Sequence, residues 1–302
     1  MMHRIININS LNSKWMYLFT LSIIWGSSFI LIKKSLLGLS PIQIGALRTI
    51  ITGLFLFSIG LKSLKTIQVK AWKWLIISGF LGSFLPGFFF AIAETEIDSA
   101  VVSILNSLVP LNTILLGAAV FKIASTKRQV IGVIIGFIGT SILIFKGADL
   151  NPNQNYLYAG FVILSTIMYA LNVNIIKRYL QHVKPLAIAT ANYVAIIIPA
   201  VIVLLFSDFF TKATFENPEF KMAMVYITIL SFFGTAMAKI LFNKLVQMAT
   251  PVFASSVTFI MPIVALTWGF LDGEDFHWLQ GVASIIILIG VYLAHKTKPK
   301  MV

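Results

Sequence analysis

Hydrophobic residues run almost unbroken through ten stretches of this chain, roughly 15–32, 41–61, 74–93, 99–121, 129–145, 156–176, 185–207, 222–243, 250–271 and 276–294, with short polar gaps between them. About 20 apolar residues cross the ~30 Å hydrocarbon core of a bilayer as a helix. Inside lipid the backbone must satisfy its own polar groups, so only helices or a closed barrel can span it. Barrel strands would alternate polar and apolar in short runs, whereas these runs are continuous. The pattern predicts an all-α membrane protein of ten transmembrane helices.

Charge then orients them. Every second gap, counting both tails, holds Arg4, Lys14, Lys62, Lys65, Lys70, Lys73, Lys122, Lys127, Arg128, Lys177, Arg178, Lys184, Lys244, Lys296, Lys298 and Lys300, and no acid. The alternate gaps hold Lys33, Lys34, Lys146, Lys212 and Lys221 with all ten carboxylates. Short cytoplasmic loops retain Lys and Arg, so both termini are expected inside. The composition, 58% hydrophobic and 11% charged, lies far outside soluble averages, as does the mean hydropathy of +0.93. The net charge of +13 is spread over loops facing an anionic leaflet, which favours a bilayer partner and no nucleic acid. The first stretch lacks a cleavage site and runs into Lys33-Lys34, so it reads as a retained helix.

The two halves repeat. A shift of 144 residues lays Trp25-Gly26 on Tyr169-Ala170, Lys33-Lys34 on Lys177-Arg178, Pro41 on Pro185 and Arg48 on Asn192. After an eight-residue adjustment Gly82 falls on Gly234, Ser103 on Ser255, Pro110 on Pro262 and Gly117 on Gly269. A further gap brings Gln129, Gly132 and Gly139 onto Gln280, Ala283 and Gly290. Five spans per half is an odd number, so the second copy must enter from the opposite side. This is an inverted repeat (5+5), with residues 15–146 and 156–295 joined by a polar linker at 147–155.

The run Ile24-Trp25-Gly26-Ser27-Ser28-Phe29 resembles the first-helix signature of EamA-type proteins in the drug/metabolite transporter superfamily. Ala46-Leu47-Arg48 is similar to that family's second-helix arginine. Pro110, Pro262, Gly273-Glu274 and the Gln-x-x-Gly/Ala…Gly endings of both halves fit as well, over roughly residues 15–295. The resemblance implies a ten-helix bundle with a central cavity, carrying amino acids, other metabolites or drugs, often outward. One departure is Phe121-Lys122 where the second half has Gly273-Glu274, so any role of that glutamate attaches to the second half alone.

Candidate substrate-binding residues follow from polar or strained chemistry at depth. Pro110 and Pro262 each sit near the middle of a span and free a backbone carbonyl, which suits a cavity wall or a hinge, or else a packing kink. Ser103, Asn106, Pro110 and Thr113 share one helical face, matched by Ser255, Thr258 and Pro262, and a polar stripe in lipid should face protein or water. Asn106 leads, because an amide both donates and accepts. Trp25 and Tyr169 occupy matching places, Trp25 about 15 Å from its entry point, where an aromatic ring can stack on a ligand or simply pack. Gly26, Ser27 and Ser28 are small enough for close helix approach, with Ser28 also a candidate.

Arg48 lies about 10 Å past Pro41, where an unpaired cation is costly. Its fork could grip a carboxylate or phosphate, or it could brace the helix against carbonyls or Glu94; the resemblance implies a structural or gating role. Lys239, four residues from the expected end of its span, is positioned to snorkel, although it too could reach a cavity. Asn172, Asn192 and Asn243 are further, weaker candidates. The two intramembrane charges are both positive, so a cavity that sees them prefers anionic or zwitterionic solutes.

Cysteine is absent, and all four histidines sit in tails, loops or helix ends, so no metal or nucleophilic machinery is assembled. No cofactor is expected, and an intramembrane enzyme is disfavoured. The expectation is a plasma-membrane secondary transporter, an exporter of small organic solutes such as amino acids or related metabolites by alternating access. It would act as a monomer or weak homodimer. The alternative is a passive, channel-like permease.

Overall fold

The computed structural model describes residues 2–97, 99–148, 155–271 and 278–295. Among the described residues all regular structure is helical. The first half contains α1 (Met2–Gly26), α2 (Ser28–Ser35), α3 (Pro41–Gly60), α4 (Trp72–Gly79), α5 (Leu85–Ala93), α6 (Ser99–Asn106), α7 (Val109–Ala119) and α8 (Lys127–Ala148). The second contains α9 (Ala159–Tyr179), α10 (Pro185–Leu205), the short α11 (Lys212–Phe215), α12 (Phe220–Ile229), α13 (Ala238–Met248), α14 (Pro251–Ser255), α15 (Val257–Leu271) and α16 (Trp278–His295). Gly273-Glu274 and most of the expected linker fall outside the described residues.

Local sequence sets where these helices start. Ser40 accepts from the Gln43 backbone while the Gln43 side chain accepts from the Ser40 backbone, a reciprocal box before Pro41 at the first turn of α3. Thr126 and Gln129 repeat the device at α8. Gln129 also donates to Thr250, the N-cap of α14, tying the two halves together. At the far end of α9, Lys177 Nζ donates to the carbonyls of Val246, Gln247 and Ala249, satisfying the frayed end of α13 as a cation should.

Among the described residues six runs are long and apolar enough to cross a membrane: Ser13–Ser35, Pro41–Thr66, Val69–Ala93, Ala159–Tyr179, Pro185–Leu205 and Phe220–Met248. Val109–Ala119, Pro251–Val264 and Gly281–Ala294 are shorter apolar helices. The fourth stretch is broken at Ser107-Leu108 and the ninth at Ser256. The packing is inside out relative to a soluble protein. Leu54, Ile59, Ile198 and Leu205 face outward, while Ser22, Thr52, Asn174, Asn192 and Asn243 are buried. Such a surface belongs in lipid, and hydrogen bonding and close approach of small residues must hold the interior.

Contacts between helices obey an exchange of halves. α3 packs on α10, α8 on α16 and α6 on α15, each across the two copies. α1 packs on α15 as α7 packs on α9, and α1 on α13 as α9 on α5. Glycine allows the closest crossings: a Cβ on Gly26 would come 2.9 Å from the Met261 carbonyl oxygen, and one on Gly79 would come 2.8 Å from that of Asn192.

Candidate functional site

Two helices lose their α-helical register midway. Between α4 and α5, residues Phe80–Phe84 form a π-helical turn, and between α12 and α13 residues Leu230–Met237 form another. Wide turns of this kind leave backbone groups without their usual partners and gather at functional sites. Here side chains of other helices take up the exposed carbonyls. Trp25 Nε1 donates to the Gly234 oxygen at 2.9 Å and Thr52 Oγ1 to the Ser231 oxygen at 3.1 Å. Gly82 and Gly234, aligned in the repeat, lie in the two wide turns. Each is closed upon by the equivalent residue of the other half: Asn172 against Gly82 and Ser28 against Gly234.

Between these turns lies a cavity enclosing about 900 Å³ of non-atom space, part of it open to solvent. Its walls repeat. Trp25 and Tyr169, Ser28 and Asn172, and Phe29 and Val173 line it at a spacing of 144 residues. Gly82 and Gly234, Ser83 and Thr235, Phe90 and Phe242, Asn106 and Thr258, and Val109 and Met261 line it at a spacing of 152. Arg48 and Lys239 also line it, yet their counterparts by these spacings are Asn192 and Gly87, which do not.

Nine of the twelve candidate residues therefore meet around one space: Trp25, Ser28, Arg48, Asn106, Tyr169, Asn172, Lys239, Ser255 and Thr258. Ser103, Pro110 and Pro262 are buried but off its wall. The expected continuous stripe through Asn106 and Pro110 is interrupted, because α6 ends at Asn106 and α7 starts anew at Val109. Val109 takes the wall position instead. Thr113 faces a second cavity with Asn174, Lys177 and Gln129. Pro262 acts through the carbonyl it frees one turn back: the Thr258 oxygen accepts from Ser107 of the other half at 3.2 Å.

Lys239 corrects the expectation of snorkelling. The helix expected to end at residue 243 continues to Met248, so Lys239 starts deeper than its sequence position implied, and it is only 6% exposed. Arg48 donates from Nε to Thr235 Oγ1 at 2.9 Å, and the Thr235 hydroxyl donates in turn to the Leu230 carbonyl in the wide turn at 3.2 Å. Ser28, Ser255 and Thr258 donate their hydroxyls to the backbone carbonyls of Ile24, Val252 and Ser255 three or four residues back, leaving lone pairs for the cavity. Asn172 accepts from Ser78 at 2.6 Å. Asn106 has no such partner: its Oδ1 is unpaired and its Nδ2 reaches only the Met261 sulfur at 3.8 Å. Tyr169 stacks on Phe90, and Trp25 tilts against Phe242. The wide turns and their residues Ser83 and Thr235 were not candidates from sequence, though the pairing of Gly82 with Gly234 marked their place.

Just beyond the C-terminal end of α5, Glu94 is buried, with Oε2 accepting from Ser99 at 3.0 Å and Oε1 unpaired. Burial pushes its carboxyl up to about 8, against the opposing pull of Ser99, Lys33 and Arg48. The folded protein thus keeps a proton that the unfolded chain releases. Stability from this group is full at acid pH, falls as pH climbs from the ordinary carboxylate range to about 8, and is level beyond. Glu94→Gln mimics the protonated form, so the melting-temperature gap between variant and wild type should widen between about pH 5 and about pH 9. A gap that does not change with pH would refute the assignment.

The EamA-like transporter family model matches residues 13–145 and again residues 157–295. An uncharacterized transporter of Archaeoglobus fulgidus is 26% identical over 283 residues, covering 93% of this chain and 98% of the relative. The uncharacterized inner membrane transporter YedA of Escherichia coli K12 is 23% identical over 91% of this chain and 88% of its own length. A relative in Chlamydia muridarum, named as an S-adenosylmethionine/S-adenosylhomocysteine transporter, is 20% identical over 86% of this chain and 84% of its own length. A solved protein crystal structure superimposes with a TM-score of 0.72 over 94% of this chain and 96% of that one, at 16% identity, a likeness of fold.

Proposed function

The chain belongs to the EamA-like transporter family, a membrane-embedded transporter rather than an enzyme, and from that premise we propose that it exports small organic solutes across the plasma membrane by alternating access. The two halves, 15–146 and 156–295, are inverted five-helix repeats joined at 147–155, giving ten transmembrane spans with both termini in the cytoplasm. The solutes bind in the central cavity, at Trp25, Ser28, Arg48, Asn106, Tyr169, Asn172, Lys239, Ser255 and Thr258, with the protein acting as a monomer or weak homodimer. They belong to the class of amino acids and related metabolites, and the two cations on the cavity wall favour the anionic members of that class.

One observation carries this reading: the cavity wall is built from pairs of residues that the internal repeat makes equivalent. A binding space shared by two oppositely inserted copies can be exposed first to one side and then to the other by rocking one copy against its twin. The same residue pairs would then close each side in turn.

The absence of cysteine provides a clean test of the layout. Single cysteines placed at residue 5, at residue 152 and at residue 299 are expected to label differently with a membrane-impermeant maleimide in intact cells. The middle position should react, and both terminal positions only after permeabilisation. Equal protection of residue 152 and the termini would overturn the inverted arrangement and the mechanism built on it.

A further inference from the structure

The cavity wall is nearly symmetric, and its two cations are what break the symmetry. Arg48 aligns with Asn192 and Lys239 with Gly87, so neither charge is inherited from the repeat. Both side chains reach one space within electrostatic range of each other. Arg48 uses Nε on Thr235, and among the described residues the rest of its fork makes no hydrogen bond. Lys239 has no hydrogen-bond or ion-pair partner among the described residues. No described carboxylate lines the cavity. Glu94 acts on Arg48 from beyond the end of α5, where Lys33 also draws on it, and among the described residues no acid acts on Lys239.

Two cations held together in a low-dielectric interior carry a large desolvation penalty unless an anion compensates them. We propose that the cargo supplies that anion: the transporter carries organic dianions, dicarboxylates or phosphate monoesters, with the negative groups held between Arg48 and Lys239. The guanidinium fork suits two coplanar oxygens and the ammonium suits a point contact beside it. The unpaired Asn106 Oδ1 accepts from a hydroxyl on the cargo, and Trp25 and Tyr169 flank its carbon skeleton. A zwitterion fits poorly. Its ammonium would lie beside two cations with only neutral oxygens to receive it. The proposal rests on the cavity being the transport site.

The test uses the purified full chain in proteoliposomes with four labelled probes: succinate, glycerol 3-phosphate, alanine and lysine. Saturable uptake of a dianion at least about 10-fold faster than that of alanine or lysine is expected, and the faster of succinate and glycerol 3-phosphate decides between carboxylate and phosphate. The same dianion should raise the melting temperature of the detergent-solubilised protein. Lys239→Gln should lower dianion uptake about 10-fold or more and abolish that thermal shift, with Lys239→Arg restoring part of both. Alanine or lysine taken up as fast as either dianion, or dianion uptake unchanged in Lys239→Gln, overturns the proposal. Uptake of none of the four also overturns it. Counterflow of a pooled metabolite extract in the same liposomes would then show the carrier reading still standing, and its absence would take that reading down too.

Discussion

Replacing Gly290 with leucine should destroy the folded protein rather than tune its activity. Gly290 sits where α16 crosses α8, and a Cβ there would come 2.5 Å from the Gly136 backbone nitrogen and 2.7 Å from the Gly132 carbonyl oxygen. On the opposite face, a Cβ on Gly132 would come 2.6 Å from the Ala294 nitrogen and 2.7 Å from the Gly290 oxygen. Every one of those neighbours is main chain, so no side-chain rotation relieves the clash and the helices must separate. Overpacking in a well-packed interior costs ~1–3 kcal/mol, and a backbone-on-backbone contact belongs at the upper end or beyond. In lipid the loss is not recovered by hydrophobic burial elsewhere, because helix association there depends on this close packing. Gly290→Leu should therefore give aggregated or proteolysed material on fluorescence-detected size exclusion, with Gly290→Ala intermediate. A monodisperse Gly290→Leu protein of wild-type melting temperature would show that this crossing does not hold the halves together.

That crossing was partly legible beforehand, since Gly132, Gly139 and Gly290 were already aligned landmarks of the two copies. The helical class was equally legible, because ten continuous apolar runs admit little else. The cavity wall emerged from two spacings, 144 and 152, that bring pairs such as Trp25 with Tyr169 and Asn106 with Thr258 to one place. What the pattern hid has a common cause. A helix apolar on every side has no periodicity to say which face is inward, and none to say where its register changes. The wide turns at Phe80–Phe84 and Leu230–Met237 left no hydrophobic signature, and the break at Ser107-Leu108 turned Pro110 away from the face shared with Asn106. Lys239 was placed too near the surface because Lys244 and Gln247 read as loop. In fact both are helical, and Gln247 caps the Leu180 and Val183 carbonyls from inside α13.

The walls contain two kinds of polar residue, and the distinction tells which ones the fold needs. Thr235, Ser28 and Asn172 are tied into the wide turns or the helices beside them, so their loss would disturb structure and site together. Asn106 differs, since it is 3% exposed and leaves one amide oxygen unpaired. A buried acceptor without a partner is a liability of about 1–3 kcal/mol, and a fold with no use for it gains by replacing it with a group of the same shape.

Asn106→Leu should accordingly separate stability from transport. Leucine keeps the forked shape of asparagine, can direct its extra volume into the cavity, removes the unpaired oxygen and gives up only a weak contact with the Met261 sulfur. Its melting temperature in detergent should equal or exceed that of the wild type. Transport should fall on the order of 10- to 100-fold, because a cargo hydroxyl that would have donated to Asn106 then arrives desolvated with nothing to receive it. The equivalent position in the second half is Thr258, whose hydroxyl already donates to Ser255, so Thr258→Val should cost transport less than Asn106→Leu. Counterflow rates, normalised to protein recovered in the liposomes, read the first quantity, and a thermal denaturation series reads the second. Wild-type rates in Asn106→Leu would remove this amide from the path of the cargo. Joint loss of rate and stability would instead make it a structural residue, and the unpaired oxygen would then need a partner within the protein.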